Sequence, residues 1–284
     1  MIEKILLADS GTGNTEAMMK VLMEIPLIQR ASVTVLHVVP PQISAEGMTV
    51  KWEEGGRILA TAISNLNLDT THATAMLREG EPKDVVLNVA DEIAADLIIM
   101  GSRGLQGLKA ILDNSVSQYI FQLSSRPMLL VKDELYSVRP IKRIMVAMSK
   151  SDSAQEGLAI ALSLLRDIKD GELILVHTIS NLKASPFDET APDPNQDPIL
   201  TTAAAQAKRY DIKTTLVAPE GKAGRRICQL AEDKNVDLMI LGSPDRRPSI
   251  AKGLPDLDRF LGESLSDYVR VYTPCPVLLT RIAG

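Results

Sequence analysis

The sequence predicts an α/β protein made of two tandem doubly wound domains, each a five-stranded parallel sheet with helices on both faces. Three observations support this fold. Short apolar runs rich in Val, Ile and Leu read as strands buried on both faces. Segments with helical spacing of apolar residues separate these runs, which favours parallel strands joined by helices. The whole order then recurs in the second half of the chain.

The internal repeat defines the domains. Four segments of the first half have counterparts, in the same order, in the second half. The pairs are Lys4–Ala8 with Arg143–Ala147, Val33–His37 with Leu173–His177, Asp96–Ser102 with Asp237–Ser243, and Pro127–Val131 with Pro276–Thr280. One duplicated domain explains this pattern. We therefore predict a first domain over residues 1–137 and a second over residues 138–284.

Helices are predicted between the strands. One begins at Glu81-Pro82, since Pro is tolerated in a first turn, and carries an apolar stripe. Others are expected over Ser115–Ser124 and from Ala223 onward. Three segments look irregular because they are rich in Pro or acidic residues or interrupt the repeat. They are residues 40–50, 181–197 and 246–261.

Composition excludes several classes of protein. The 284 residues are 45% apolar and 24% charged, which is typical of a folded chain rather than a disordered one. An aromatic content of 3% and a net charge of −5 argue against a nucleic-acid partner. No apolar run approaches the roughly 18 residues of a membrane helix, and the start does not resemble a signal peptide. We expect a cytoplasmic protein without a membrane or nucleic-acid partner.

No catalytic machinery is evident in the sequence. His37 and His177 occupy equivalent strand positions, so we expect them to serve in packing. Cys228 and Cys275 lack a C-x-x-C arrangement and are expected to be packed as well. No zinc motif or nucleophile elbow occurs. The sequence therefore predicts no catalytic residue and no metal site.

Two features at strand ends suggest ligand binding. Asp9 ends the first strand, where a carboxylate can accept hydrogen bonds from an adenine amino group or a ribose hydroxyl, although Asp is also common after strands as a cap. Gly101-Ser102-Arg103-Gly104 follows a later strand, and nine residues separate it from Asn114-Ser115-Val116-Ser117. Glycines, hydroxyls and a helix start together favour an anion cradle over a simple capped turn.

With these residues the chain resembles the universal stress protein family in its tandem two-domain form. The family signature is G-x-x-G, nine residues, then G-[ST], and members carrying it often bind ATP. The resemblance implies a flavodoxin-like (Rossmann-like) fold and an adenine-nucleotide site in the first domain, with ATP or AMP as ligand and Mg²⁺ accompanying ATP. The binding residues it implies are Ala8, Asp9, Val38, Met100, Gly101, Arg103, Gly104, Asn114, Ser115, Val116 and Ser117.

The chain departs from the family pattern at several positions. Asn114 stands where the family has its third glycine; Asn tolerates a left-handed backbone, but its side chain crowds the phosphate path. In the second domain Met148 replaces Asp9, while Asp245 and Glu263 place carboxylates where phosphate would lie. Negative charges beside a phosphate oppose its binding. The second domain is therefore predicted to have lost the nucleotide site.

The resemblance implies a stress-response regulatory protein that performs at most slow ATP hydrolysis. It also implies that the two domains pair through Met128–Val131 and Val277–Thr280 as a pseudo-dimer; a homodimer of the chain and an unidentified protein partner remain open. One alternative is a nucleotide-free interaction scaffold. Another is an FMN protein, because Ser10–Glu16 resembles a flavodoxin phosphate loop. The sequence lacks the aromatic loops that hold the flavin in flavodoxins. Its single Trp, Trp52, follows the second strand and is misplaced for this role.

Overall fold

The structure is a computed structural model that describes residues 2–66, 72–103, 116–133, 138–178, 193–243 and 264–281, with the backbone alone at residues 102, 103 and 133. The chain divides into two compact units, residues 1–139 and 140–282. We refer to them as the first and second unit, and describe each by itself.

The first unit alternates strands with helices. Its described elements are β1 (Lys4–Ala8), α1 (Thr15–Met23), α2 (Pro26–Gln29), β2 (Ser32–Val39), α3 (Ala45–Leu66), β3 (Ala73–Glu79), α4 (Pro82–Glu92), β4 (Leu97–Arg103), α5 (Val116–Leu123) and β5 (Met128–Asp133). The strand order is β3-β2-β1-β4-β5, and every neighbouring pair is parallel.

The second unit repeats this topology. Its described elements are β6 (Arg143–Ala147), α6 (Asp152–Leu165), β7 (Glu172–Val176), a 3-10 turn (Pro194–Gln196), α7 (Pro198–Lys208), β8 (Lys213–Val217), α8 (Ala223–Asp233), β9 (Leu238–Gly242), α9 (Leu265–Tyr272) and β10 (Val277–Thr280). The strand order β8-β7-β6-β9-β10 corresponds, strand by strand, to that of the first unit. The predicted doubly wound α/β fold with a repeated sheet is confirmed.

The central strands of each sheet are buried on both faces. Ile5, Leu6 and Leu7 of β1 are inaccessible to solvent, although their side chains alternate between the two faces. Helices therefore cover both sides of the strand. Such burial explains why the central strands are continuous apolar runs instead of alternating patterns. The α1 residues Met18 and Met19 are also buried, as core-filling methionines.

A carboxylate sets the register between the two central strands of the first unit. Asp96 Oδ2, just before β4, accepts hydrogen bonds from the amides of Glu3 and Lys4 at the start of β1, at 2.8 and 2.9 Å. In the ladder that follows, Ala8 pairs with Met100. This arrangement places the residue after β1 next to the carboxyl end of β4.

The order of the strands creates a crevice in the first unit. The chain passes from β1 to β2 and β3 on one side, then returns to β4 and β5 on the other side. Helical connections diverge at such a switch point and leave a space beyond the carboxyl ends of the strands. Ligands of doubly wound proteins bind in this space. The crevice between the ends of β1 and β4 is therefore where a site is expected.

The expectation that residues 40–50 are irregular is wrong from Ala45 onward, where α3 begins. Pro40 and Pro41 precede the helix and do not interrupt it. Ser44 Oγ accepts a hydrogen bond from the Gly47 amide at 3.0 Å and caps the first turn. Of residues 181–197, those from 193 form a turn that leads into α7, and the remainder lies outside the described residues. Residues 246–261 also lie outside them.

Among the described helices, none is both long enough and apolar enough to cross a bilayer.

Close backbone packing in the second unit gives a stability prediction. A Cβ added to Gly242, at the end of β9, would lie 2.5 Å from the amide nitrogen of Ala154 and 2.8 Å from the carbonyl carbon of Ser153. These atoms belong to backbone that cannot move independently of α6. We expect Gly242→Ala to lower the free energy of unfolding by about 1–3 kcal/mol, measured by chemical denaturation followed by circular dichroism.

Gly56→Ala is the matched control for this substitution. No described heavy atom lies within 4 Å of a Cβ added at Gly56, an exposed position in α3. It should raise stability by about 0.5–1 kcal/mol, because Ala favours a helix interior over Gly. Equal effects of the two substitutions would contradict the packing argument.

Candidate functional site

Asp9 lies at the carboxyl end of β1, in the crevice described above. Its amide donates to the carbonyl oxygen of Leu36 on β2 at 2.9 Å. Its carboxylate oxygen Oδ1 accepts from the Gly11 amide at 2.9 Å. His37 Nδ1 lies 2.9 Å from the Asp9 carbonyl oxygen, and because a carbonyl only accepts, the ring donates this bond. The backbone around Asp9 is therefore held from two sides.

The Asp9 carboxyl group is buried without full hydrogen bonding. The residue is 4% exposed, and Oδ2 has no hydrogen-bond partner among the described residues. Burial raises the pKa of the carboxyl group, and the negative charge of Glu16 raises it further. The Gly11 amide and His37 lower the pKa, but the net direction is upward. Buried polar atoms without partners are rare in folded proteins and often mark functional positions.

Val38 presents backbone groups to the same space. Residues of a parallel strand point their amide and carbonyl groups alternately to the two neighbouring strands. Leu36 bonds toward the β1 side through its carbonyl, so Val38, two residues on, faces that side beyond the last residue of β1. Its side chain is half-buried. The predicted backbone contact thus lies beside Asp9.

The end of β4 forms the other wall of the crevice. Ala8 pairs with Met100, so Asp9 and Gly101 come next on adjacent strands. Met100 is buried, Gly101 is partly exposed, and Arg103 is the last residue of β4. The structure therefore brings together the predicted residues that lie at the ends of β1, β2 and β4. Gly104, Asn114 and Ser115 lie outside the described residues.

The remaining predicted residues open α5. Val116 is its first residue and is half-buried, while Ser117 in the first turn is 4% exposed. The α5 helix packs against β4 and α4. Whether Ser117 lies close enough to Gly101 to share a ligand stays a prediction, because the connection between β4 and α5 lies outside the described residues.

The loop between β1 and α1 crosses toward β5. Gly11 and Gly13 have φ values of +80° and +92°, which residues other than glycine rarely adopt. Asn14 Nδ2 donates to the carbonyl oxygen of Lys132 on β5 at 3.2 Å. This bond ties the loop to the opposite side of β4. The segment that resembles a flavodoxin phosphate loop thus borders the same crevice.

Two contributors to this site were not predicted. The charge of Glu16, in the first turn of α1, raises the pKa of Asp9. Glu16 Oε2 accepts a hydrogen bond from Asn65 Nδ2 of α3 at 2.9 Å. Glu16 and Asn65 are separated by 49 positions in the sequence. The sequence pattern contains no signal for this contact beyond the acidic residue in the first turn. Only the packing of α3 against α1 brings the two side chains together.

Comparison with known proteins decides the family. The family model described as the universal stress protein family matches residues 1–132 and residues 140–281. The two matches together span nearly the whole chain. The chain belongs to the universal stress protein family.

The chain is similar to individual relatives and to solved structures. Universal stress protein YxiE of Bacillus subtilis is 30% identical over 148 residues, which are 46% of this chain and 100% of that protein. A universal stress protein crystal structure from Archaeoglobus fulgidus has 20% identity and a TM-score of 0.74, covering 99% of this chain and 97% of that chain. A family member from Arabidopsis thaliana, solved with AMP bound, has 18% identity and a TM-score of 0.35, covering 50% and 93%.

The second universal stress protein unit keeps the backbone of the site but not its carboxylate. Met148 occupies the position of Asp9, and its amide donates to the carbonyl oxygen of Val176 at 2.7 Å, as Asp9 does to Leu36. Met148 is 4% exposed. At the end of β9, Gly242 lies against the first turn of α6, without room for a Cβ. Asp245 and Glu263 lie outside the described residues.

The two histidines that were expected to serve in packing also make polar contacts. His37 holds the backbone of Asp9, and His177 Nδ1 lies 2.6 Å from Asp197 Oδ2. Asp197 also caps α7 through its Oδ1, which accepts from the amides of Ile199 and Leu200. Both rings are partly exposed at the carboxyl ends of strands, where polar backbone and side-chain groups replace apolar neighbours.

The described residues include two buried cysteines but no cluster of metal ligands. Cys228 and Cys275 are buried and not joined in a disulfide, so the prediction that they are packed is confirmed. Across the described ranges, no three His, Cys, Asp or Glu side chains gather in a way that could hold a metal ion.

The Asp197 contacts predict a pH-dependent contribution to stability. Burial raises the pKa of Asp197, but hydrogen bonds from His177 and from the Leu200 and Ile199 amides outweigh it and hold the pKa below the ordinary value of 3.8. A depressed folded-state pKa stabilises the fold above the unfolded-state pKa, and this stabilisation is lost as the pH falls through the folded value. We therefore expect the stability difference between wild type and Asp197→Asn to shrink below about pH 4.

At neutral pH, Asp197→Ala should destabilise the chain by about 1–2 kcal/mol, because it removes the cap of α7. Denaturant unfolding followed by circular dichroism measures this change. The control is Asp233→Ala, which removes an exposed carboxylate at the end of α8 and should have little effect. Equal effects of the two substitutions would contradict the assigned role of Asp197.

Proposed function

We propose that the first unit binds an adenine nucleotide in the crevice at the ends of β1, β2 and β4. The observation that carries this proposal is the buried Asp9 carboxyl group, whose Oδ2 has no partner within the described residues. An unpaired buried acceptor is unfavourable by itself, and a ligand that donates a hydrogen bond removes this cost. Its position at the switch point is where doubly wound proteins bind nucleotides.

The proposed base contacts select an amino group. The Asp9 carboxylate only accepts hydrogen bonds, so it suits the 6-amino group of adenine and opposes the 6-oxo group of guanine. The Val38 backbone offers both a donor and an acceptor beside it. Sites that bury such polar groups discriminate strongly against ligands that leave them unpaired.

The proposed phosphate contacts follow the family resemblance. Gly101 and Gly104 let the backbone approach the ribose and phosphates, and Arg103 adds positive charge. Ser115, Val116 and Ser117 contribute amides and hydroxyls at the start of α5, where the helix dipole favours anions. Asn114 replaces the third glycine of the family signature, and its side chain would crowd the outer phosphates, so we propose AMP as well as ATP with Mg²⁺ as the ligand.

The second unit is proposed to lack this site. Met148 offers no hydrogen-bond acceptor to a base, and the charges of Asp245 and Glu263 oppose phosphate. The chain should therefore bind one nucleotide. We propose that the second unit has a structural role instead of a nucleotide-binding one.

The proposed role is regulatory rather than catalytic. The universal stress protein would bind the nucleotide in the cytoplasm during a stress response and change the surface that it shows to a protein partner. We expect at most slow hydrolysis of ATP, because the sequence contains no evident catalytic motif. A nucleotide-free scaffold is the alternative that the binding experiment must exclude.

Calorimetric titration tests the proposal. The purified chain is stripped of carried-over ligand, the released material is identified by mass spectrometry, and the chain is titrated with AMP and with ATP and Mg²⁺. We expect one site per chain. Two sites would contradict the assignment of the second unit, and no binding of any adenine nucleotide would favour the scaffold.

Asp9→Ala should weaken binding of adenosine and AMP at least tenfold, since a lost hydrogen bond to a charged group costs about 1.5–3 kcal/mol. The fold should survive, because the variant removes a buried carboxylate with an unpaired oxygen. Thermal unfolding of the empty chain checks this. Asp84→Ala, at an exposed position of α4, is the control and should leave affinity unchanged.

Gly104→Glu tests the phosphate contacts separately. A carboxylate in the cradle should remove the gain in affinity of AMP over adenosine while leaving adenosine binding unchanged. Equal loss of both ligands would show that the substitution disturbs the whole site, and an unchanged AMP affinity would refute the assigned cradle.

A further inference from the structure

One helix of the first unit contacts both groups that hold Asp9. The Asp9 carboxylate oxygen Oδ1 accepts from the Gly11 amide, and the Asp9 carbonyl oxygen accepts from His37 Nδ1, each at 2.9 Å. The α3 helix packs against α1 and β2, next to both of these bonds. Its residues Gly55 and Ile58 are three positions apart and therefore lie on one face of the helix.

Gly55 is the point at which α3 meets His37. It is the first buried residue from the amino end of the helix. A Cβ added to Gly55 would lie 2.9 Å from His37 Cδ2. It would also lie 2.8 Å from Leu77 Cδ1 and 3.2 Å from Val39 Cγ2, on the strands beneath the helix. Glycine is less favourable than alanine inside a helix, and the close approach of the imidazole ring explains its presence at this position.

Ile58 supports the turn after β1. A Cβ added to Gly11 would lie 2.7 Å from Ile58 Cδ1, so the glycine backbone packs directly on this side chain. Gly11 has a φ of +80°, which other residues rarely adopt. The Gly11 amide is therefore fixed by its own conformation and by contact with α3. Because this amide occupies Oδ1 of Asp9, Oδ2 is the oxygen that has no partner among the described residues.

The second unit shows that the fold does not require the bond from the histidine. His177 occupies the strand position of His37, but its Nδ1 bonds to the carboxylate of Asp197. Met148 nevertheless keeps the backbone hydrogen bond to the neighbouring strand that Asp9 makes in the first unit. The end of β6 is thus formed while the histidine nitrogen is committed elsewhere. The bond from His37 accompanies the buried carboxylate instead.

We propose that Gly55 and Ile58 are positioning residues of the nucleotide site. They act through His37 and Gly11, respectively, and aim the Asp9 carboxylate at the 6-amino group of adenine. This inference rests on the proposed function. Selectivity for an amino group then depends on the packing of α3, because a hydrogen bond weakens steeply when its acceptor is displaced by about 1 Å.

The preference for adenosine over purine riboside measures this selectivity. The two ligands differ only in the 6-amino group, and neither has a phosphate. Calorimetric titration of the wild type should give a preference of about tenfold or more, and Gly55→Ala should reduce it to about threefold or less. A purely structural effect would lower both affinities alike and keep their ratio. Gly56→Ala, the same change at the adjacent exposed glycine, should keep the preference of the wild type.

Ile58→Ala tests the second contact without introducing an atom. Loss of the side chain that supports Gly11 should also reduce the preference to about threefold or less. Ile63→Ala, at another half-buried isoleucine of α3, is the matched control and should keep it. Thermal unfolding of the empty chains identifies the variants that fold, and the ratios are compared for these. An unchanged preference in folded Gly55→Ala or folded Ile58→Ala would overturn the role of that residue.

A double-mutant cycle tests the route through His37. In a His37→Ala background the ring is absent, so Gly55→Ala should cause no further loss of preference. Additive losses would overturn this route. Failure of adenosine and AMP to bind to the wild type, or equal affinities of the wild type for adenosine and purine riboside, would instead contradict the proposed function on which the inference rests.

Discussion

The hydrogen bonds that one aspartate accepts from the amides at the start of the first strand fix the geometry on which the site depends. Asp96 accepts from Glu3 and Lys4, and Asp237 accepts in the same way from the amides of Lys142 and Arg143 at 3.0 and 2.7 Å. A shift of one residue in register would turn every side chain of β1 to the opposite face. These hydrogen bonds at the amino ends of the strands, which we call the brace, thus determine which residues meet at the carboxyl ends, a few residues further along each strand.

The two units show that one fold supports different strand ends. Both keep the brace, the strand order and the amide bond after the first strand. They differ at the residue after the first strand of each unit. The buried thioether of Met148 in the second unit replaces the carboxylate of Asp9 in the first. Fold alone therefore does not assign a ligand to either unit; only the side chains at the strand ends can.

Features that depend on neighbouring residues in the sequence could be predicted, whereas contacts between separate elements could not. Central strands and α4 were predictable because burial and a first-turn proline leave local patterns. The start of α3 was not predictable. Pro40 and Pro41 suggest a long irregular segment, but Ser44 caps a helix that begins at Ala45. The polar partners of His37 and His177 and the contact of Asn65 with Glu16 were also not predictable, since they depend on side chains from separate elements. Asp9 was predictable as a candidate, but its unpaired oxygen is visible only in the structure.

The second unit supplies an internal comparison for the buried carboxylate. Met148 makes the same backbone hydrogen bond as Asp9 and is buried to the same extent, so the end of the strand does not require an acidic side chain. A buried carboxyl group with an unpaired oxygen opposes folding, whereas methionine fills such a position favourably. Placing a second carboxyl group, Glu16, beside it increases the electrostatic cost. Folding alone therefore does not account for Asp9, whereas the proposed ligand would donate to the carboxylate and stabilise the folded unit in proportion to its affinity.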